Sequence, residues 1–194
     1  MSRWRLFLPL VLFLALAAFF LYVQLRIQDG DYDPQNMPSA LLDRPVPAFQ
    51  LPELHSGELV GSELVAGKPA LLNVWATWCP SCVYEHPFLN QLREQGVIAI
   101  IGVNYKDEDA AARRWLSEKG DPYTAVVVDA DGRLGLDLGV TGAPETYLVD
   151  ASGRIRLRYQ GPLDERVWQT VFAPRLQAMG QAAGMAAGKT VEQP

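Results

Sequence analysis

"ALLNVWATWCPSC", residues 70–82, decides the fold of this 194-residue chain. Residues 70–76 read as a continuous apolar run of strand length, the pattern of a strand buried on both faces. The only two cysteines follow, Cys79 and Cys82, separated by Pro80 and Ser81. The sequence beyond them, to about Gln95, reads as a helix stopped by Gly96. Pro80 stands at its first position, where a missing N–H costs nothing. "VIAIIGV" (97–103) is a second buried strand. The order strand, helix, strand predicts a parallel pair.

Three chemistries compete for the cysteine pair. A disulfide stabilises by closing a loop in the unfolded chain, and the gain grows with loop length, so two intervening residues make a poor staple. A tetrahedral zinc site needs four ligands and one C-x-x-C supplies two. His55 and His86 are the only histidines and there is no second cysteine pair, so no metal is expected. The redox reading has positive support. Cys79 falls at a helix N-terminus, where unpaired amides and the helix dipole stabilise the thiolate that attacks disulfides. Cys82, one turn on, is expected to face inward and stay protonated until it is needed.

Outward from this unit, residues 6–23 are apolar without a break and Leu25 lengthens the run. A helix of about 20 residues at about 1.5 Å per residue crosses the ~30 Å hydrocarbon core of a bilayer. Arg3 and Arg5 precede the run and only Arg26 follows closely. The positive-inside bias therefore places residues 1–5 in the cytoplasm and 6–25 across the membrane, with the rest exported, in a bacterium to the periplasm. Cleavage after Ala15-Leu16-Ala17 would leave the apolar "AFFLYVQL" as a mature N-terminus, so an uncleaved anchor is the better reading. Residues 26–45, broken by Asp, Gly and Pro, read as a linker. Residues 46–178 suffice for one domain. The Gly/Ala-rich stretch 179–194 offers too little to bury and is expected to be a disordered tail. Setting aside the first 28 residues, with their three arginines, leaves 14 basic against 22 acidic side chains, a formal charge of −8. Such a surface argues against nucleic acid or anionic lipid as a partner.

"AFQLPEL" (48–54) reads as short extended structure and "GSELVAGKP" as a brief helical turn. "KDEDAAARRWLSEKG" is a helix with acids at its start and a Lys119-Gly120 stop. "YTAVVVD" (123–129) is a strand, and "ETYLVD" with "RIRLRYQG" (154–161) an antiparallel hairpin. Ile155, Leu157 and Tyr159 alternate with Arg154, Arg156 and Arg158, which predicts one buried and one wet face. Asp164 can cap a last helix that carries Val167, Val171 and Leu176 near one face. The whole is a mixed α/β sheet flanked by helices.

"W-C-x-x-C" after a strand, with Pro87 five residues after Cys82, resembles the thioredoxin-like superfamily. Pro87 is expected to kink its helix. "GVNYKDE" (102–108), "GLDLGVTGAPETYLVD" (135–150), "VWQTVFAPRL" (167–176) and the apolar N-terminal run narrow the match. From about Pro38 to Leu176 the chain closely resembles the DsbE/CcmG family, membrane-anchored thiol:disulfide interchange proteins of bacterial cytochrome c maturation. The resemblance implies a thioredoxin-like fold and a reductant on the periplasmic side of the inner membrane, with the Cys79–Cys82 disulfide as its redox group and no bound cofactor. It implies electrons taken from a partner of the DsbD or CcdA type and passed to a disulfide in apocytochrome c or another maturation protein.

The resemblance also assigns surroundings to the catalytic Cys79 and Cys82. Pro144 in "GAPET" matches the superfamily's cis-proline, which would expose the backbone of Ala143 to an extended substrate beside Cys79. Acids in the positions of Glu85 and Glu145 line the active site. Nearby carboxylates disfavour a thiolate and make the pair more reducing, although a Glu early in a helix can simply serve the dipole. Trp78 is expected to cover the disulfide as an apolar lid and partner surface, with Pro80 and Ser81 completing the environment. Trp75 reads as core and His86 as an exposed surface histidine. Asn104 to Asp107 are expected near the site, with no chemical role assigned.

Other thioredoxin-like chemistries fit less well. A thiol peroxidase would want Pro and Thr where this chain has Leu72 and Ala76, and a copper chaperone three residues between the cysteines and a distal histidine. An oxidase of the DsbA type carries a helical insertion, whereas Val83 to Ala143 is filled by the elements already assigned. A tethered binding module with an inert disulfide remains as the reading from another class.

Overall fold

The computed structural model describes residues 7–28 and 41–180. The expected cytoplasmic residues 1–5, most of the linker and the tail from residue 181 lie outside the described residues. In chain order the elements are helix α1 (Leu8–Gln28), strands β1 (Gln50–Pro52), β2 (Leu59–Gly61) and β3 (Ala70–Trp75), helix α2 (Pro80–Glu94), and strand β4 (Ala99–Tyr105). Helix α3 (Asp109–Lys119), strand β5 (Ala125–Asp129), helix α4 (Arg133–Asp137), and strands β6 (Glu145–Val149) and β7 (Ile155–Gln160) follow. The last helix, α5, starts at Glu165–Val167, widens into a π-helical turn over Trp168–Phe172 and continues through 173–180.

Helix α1 forms a unit of its own, and its Leu8–Leu25 stretch has a mean hydropathy of 2.4. By length and composition it is sufficient to cross a bilayer.

The second unit is built on a five-stranded sheet ordered β5-β4-β3-β6-β7. All six residues of β3 are buried, as a strand covered on both faces must be. β4 pairs parallel to β3 and β5 parallel to β4, while β6 runs antiparallel to β3 and β7 antiparallel to β6. On one face, Leu71, Trp75, Ile100, Val126 and Leu148 pack with Leu89, Leu116 and Phe172 from α2, α3 and α5, and with both cysteines. On the other, Leu72, Val74, Ile101, Val103 and Tyr147 pack with Val65, Leu134 and Leu138. The β1–β2 hairpin covers the edge of β5, where the Leu54 amide donates to the Val126 carbonyl at 2.7 Å. The segment 43–46 covers part of the edge of β7, with the Asp43 amide 2.8 Å from the Ile155 carbonyl. Both open edges are thereby blunted.

Four expectations change. β4 starts two residues later than the apolar run suggests, because Val97 belongs to the turn after α2 and donates to the Leu92 carbonyl. β2 and the short helix α4 carry too little periodicity to be seen in the sequence. β7 does not present one wet face. Leu148 pairs with Leu157 while Val149 pairs with Ile155, so Arg156 is a bulge residue. Ile155 therefore joins one core, while Leu157 and Tyr159 join the other. On the supposedly wet side the Arg158 side chain is only 11% exposed. His86 is also buried, as described below.

Asp164 caps α5 as expected, its carboxylate accepting from the Val167 amide at 2.7 Å. Pro174, which has no N–H to donate, comes two residues after the end of the widened π turn.

Candidate active site

The strand β3 delivers the chain to Thr77 and Trp78, and Cys79 becomes the N-cap of α2 with extended backbone (φ −91°, ψ 108°). Pro80 occupies the first helical turn. Cys79 and Cys82 form a disulfide with a Cα–Cα distance of 5.4 Å, and the Cys82 amide donates to Cys79 Sγ at 3.1 Å. Each cysteine is only 2% exposed. Pro80 and Ser81 lie on the surface beside them. The helix N-terminus thus meets the sulfur that its amides and dipole favour as an anion after reduction.

The turn ahead of Cys79 is held by Asp107. Its carboxylate accepts from the Thr77 amide at 2.6 Å, the Thr77 hydroxyl at 2.7 Å, Asn104 Nδ2 at 3.0 Å and the Glu108 amide at 2.9 Å. Burial pushes this carboxyl up, but the hydrogen bonds from Thr77, Asn104 and Glu108 outweigh it and keep the group below its ordinary range. Trp78 is half exposed, and its Nε1 donates to the Lys106 carbonyl at 2.9 Å. The 104–107 stretch, near the site but without a role in the sequence reading, is therefore the brace of the turn that carries the cysteines.

The Ala143–Pro144 peptide is cis and enters β6, the neighbour of β3. Pro144 is buried, and Ala143 packs against the core that contains both cysteines.

The two candidate acids occupy different sides of the sheet. Glu85, one helical turn past Cys82, is buried on the α2 side. Its Oε1 accepts from Asn73 Nδ2 at 3.1 Å and its Oε2 from the Leu163 amide at 3.0 Å. Burial dominates over these two hydrogen bonds and raises the carboxyl to about 7. Thr146 of β6 bonds Asn73 on that same side, so the adjacent Glu145 projects to the other. Glu145 accepts from the Thr141 amide (2.8 Å) and hydroxyl (2.9 Å) and from Tyr147 (2.9 Å), and pairs with Arg158 at 2.9 Å. Burial pushes Glu145 up, but Thr141, Arg158 and Tyr147 together bring it below the usual carboxylate range. Its side chain is committed to joining the 141 loop to β6 and β7.

Trp75 is core, stacked on Tyr123 with ring centroids 5.4 Å apart. His86 is buried, not exposed. Its Nε2 lies 2.8 Å from the Gly120 carbonyl and its ring meets Trp115 edge-on, because α3 covers that side of α2. Burial holds its pKa below the ordinary value. The residues that sequence reasoning missed are Asn73, Thr77, Tyr123 and Thr146. Asn73 alone left a signal, as the one polar residue in an otherwise apolar buried strand.

A disulfide across C-x-x-C at the head of the helix after a central strand, with a cis-proline entering the neighbouring strand, defines a thioredoxin-like thiol:disulfide oxidoreductase. The redox group is the protein's own disulfide, and among the described residues no cluster of His, Cys, Asp and Glu is arranged to hold a metal. Residues 42–171 match the Redoxin family. The chain is 50% identical over 179 residues, covering 92% of it and 97% of the relative, to the thiol:disulfide interchange protein DsbE of Pseudomonas fluorescens biotype C. It is 51% identical over 176 residues to DsbE of Escherichia coli K12, covering 90% and 94% of the two chains. Among solved structures it is similar to MTB dsbF, with a TM-score of 0.58 and 26% identity over 74% of this chain and 99% of that one. A secreted Mycobacterium tuberculosis disulfide oxidoreductase shares the fold, with a TM-score of 0.56 and 24% identity over 67% and 95% of the chains. The chain belongs to the DsbE family of thiol:disulfide interchange proteins.

Proposed function

We propose that this protein is a membrane-tethered reductant that faces the periplasm and acts in cytochrome c biogenesis. Its substrate is a disulfide of apocytochrome c or of a haem-ligation partner, which must be opened before haem is attached. The observation that carries the reading is the buried Glu85 carboxyl one turn from Cys82, in a family of interchange proteins. A carboxylate there disfavours thiolate and so the reduced form, which turns the pair from accepting electrons towards giving them. For this two-electron couple ~30 mV corresponds to ~1.4 kcal/mol, so one charge matters. Residues 6–25 supply the anchor in the inner membrane, supported by the apolar Leu8–Leu25 helix, with residues 1–5 cytoplasmic, 26–45 as tether, 46–178 as the periplasmic domain and 179–194 as a tail.

In this reading a membrane donor of the DsbD or CcdA type reduces the Cys79–Cys82 disulfide. Cys79 thiolate then attacks the substrate disulfide and forms a mixed disulfide, with one substrate sulfur leaving as a thiolate. The Ala143–Pro144 backbone aligns the substrate strand, and Trp78 offers it an apolar surface. Cys82 loses its proton and attacks Cys79 Sγ, re-forming the internal disulfide and releasing substrate with two thiols. Two electrons pass to the substrate, and its two thiolates take up the Cys82 proton and one proton from water.

A Cys82→Ser variant tests the reading. It should accumulate a reducible adduct through Cys79, and identifying the trapped protein by mass spectrometry should return an apocytochrome c or a maturation protein. Absence of any such adduct in cells making cytochrome c would overturn the assignment.

A further inference from the structure

Asn73 is fully buried in the middle of β3, where its neighbours are apolar. Every polar atom of its side chain is used. Nδ2 donates to Glu85 Oε1 and to Thr146 Oγ1, each at 3.1 Å, and Oδ1 accepts from the Tyr123 hydroxyl at 2.9 Å. One amide therefore joins α2, β6 and the segment between α3 and β5 directly beneath the redox helix.

A carboxamide has a donor end and an acceptor end, and an ionised carboxylate only accepts. The Tyr123 hydroxyl, by occupying Oδ1, directs the NH2 end at Glu85. A reversed amide would set Oδ1 against a carboxylate oxygen, which Glu85 could satisfy only by holding its proton.

Tyr123 is held rigidly for this task. Its ring stacks on Trp75 over Gly102, where an added Cβ would lie 2.9 Å from Trp75 Nε1 and 3.0 Å from Tyr123 Cδ1. Its backbone amide donates to Asp121 Oδ1 at 2.9 Å, and His55 Nε2 lies 3.0 Å from Asp121 Oδ2. A phenylalanine would fill the same space, so packing does not explain the hydroxyl. Burial, followed by the charges of Glu85 and Asp121, drives the phenol well above its ordinary range, and the hydroxyl stays a donor at any working pH.

We propose that Tyr123 and Asn73 are positioning residues for Glu85: the Tyr123 hydroxyl fixes the Asn73 amide with Nδ2 towards the carboxyl, and so sets how readily that carboxyl releases its proton. Its bearing on the thiols rests on the reading of Glu85 given under the proposed function. Among the described residues, few groups surround Glu85. Tyr123 and, behind it, Asp121 come from the α3–β5 segment, and Leu163 brings a backbone amide. The cysteines come from α2 itself, His86 is turned away to Gly120, and Thr146 of β6 does not titrate.

The test uses the full-length oxidised protein and Tyr123→Phe, with the Glu85 carboxyl followed by carbon-13 NMR. The midpoint of Glu85 should rise by about one unit, tenfold in proton affinity. Asn73→Ala removes the donor itself, serves if Tyr123→Phe does not fold, and should raise the midpoint at least as far. An unmoved midpoint in the folded variants overturns the proposal. The reduction potential at pH 7 should also shift towards that of Glu85→Gln, and Tyr123→Phe should have no further effect on it in a Glu85→Gln background. An equal shift of potential in both backgrounds sinks the link from Glu85 to the thiols, because Tyr123 would then reach them by another route, while the midpoint alone decides the positioning of Glu85. A raised midpoint with an unchanged potential upholds the positioning of Glu85 and sinks only the reading that Glu85 tunes the thiols.

Discussion

Glu85 and Glu145 are chemically identical and equally buried, each 1% exposed, yet they titrate in opposite directions. The difference is the company of each oxygen. Among the described residues Glu85 has two neutral donors and no cation, so loss of hydration wins and its carboxyl sits at about 7. Between the unfolded value near 4.5 and that folded value, the native state holds a proton that the unfolded chain lacks. Stability therefore declines as pH rises through this window, by roughly 3 kcal/mol between about pH 4.5 and about pH 7. In Glu85→Gln that slope should vanish from urea midpoints measured between pH 4 and 8, whatever constant cost the substitution adds. Glu145 is instead matched to Arg158, whose side chain is also largely covered. Arg158→Met strands a buried carboxylate and should cost about 3–5 kcal/mol in urea denaturation. Because this pair lies across the sheet from Asn73 and Glu85, the reduction potential of Arg158→Met should stay at the wild-type value. A shifted potential would bring Glu145 back among the groups that act on the thiols.

At the scale of elements, β4 shows how closely the site is packed. Gly102 lets the Trp75 indole and Tyr123 ring cross its backbone, and a methyl group there has nowhere to go without moving both. Gly102→Ala should destabilise the domain by about 1–3 kcal/mol in thermal or urea unfolding, the cost of overpacking a rigid core. How far such features can be read in the sequence depends on whether their cause is local. β3 and β5 are legible because continuous apolar runs of strand length have few alternatives, and the helix start at Cys79 because Pro80 suits a first turn. The bulge at Arg156 is not, since side-chain alternation runs on through residues whose pairing has skipped one place. His86 misleads for a related reason. It lies on α2, whose own pattern cannot announce that α3 will pack there and present the Gly120 carbonyl. The Asp107 brace spans 30 residues and the Tyr123–Asn73 bond 50, distances at which no sequence period reports a contact.

For the whole molecule, the anchor proposed for residues 6–25 has a direct check. The full chain should stay in the membrane fraction after alkaline carbonate washing, and its release into the supernatant would remove the tether from the reading. Function then depends on how the domain meets its partners. Both cysteines are almost fully covered, while Trp78, the residue before Cys79, is 50% exposed. A small thiol or oxidant diffusing up from solvent finds scarcely any sulfur to strike. A polypeptide that settles on the exposed Trp78 face can hold its own sulfur at the site long enough to react. Reduction potential decides the direction in which electrons run, whereas coverage decides with whom they are exchanged. Coverage of this kind insulates the couple kinetically from small thiols and oxidants alike, whatever its potential.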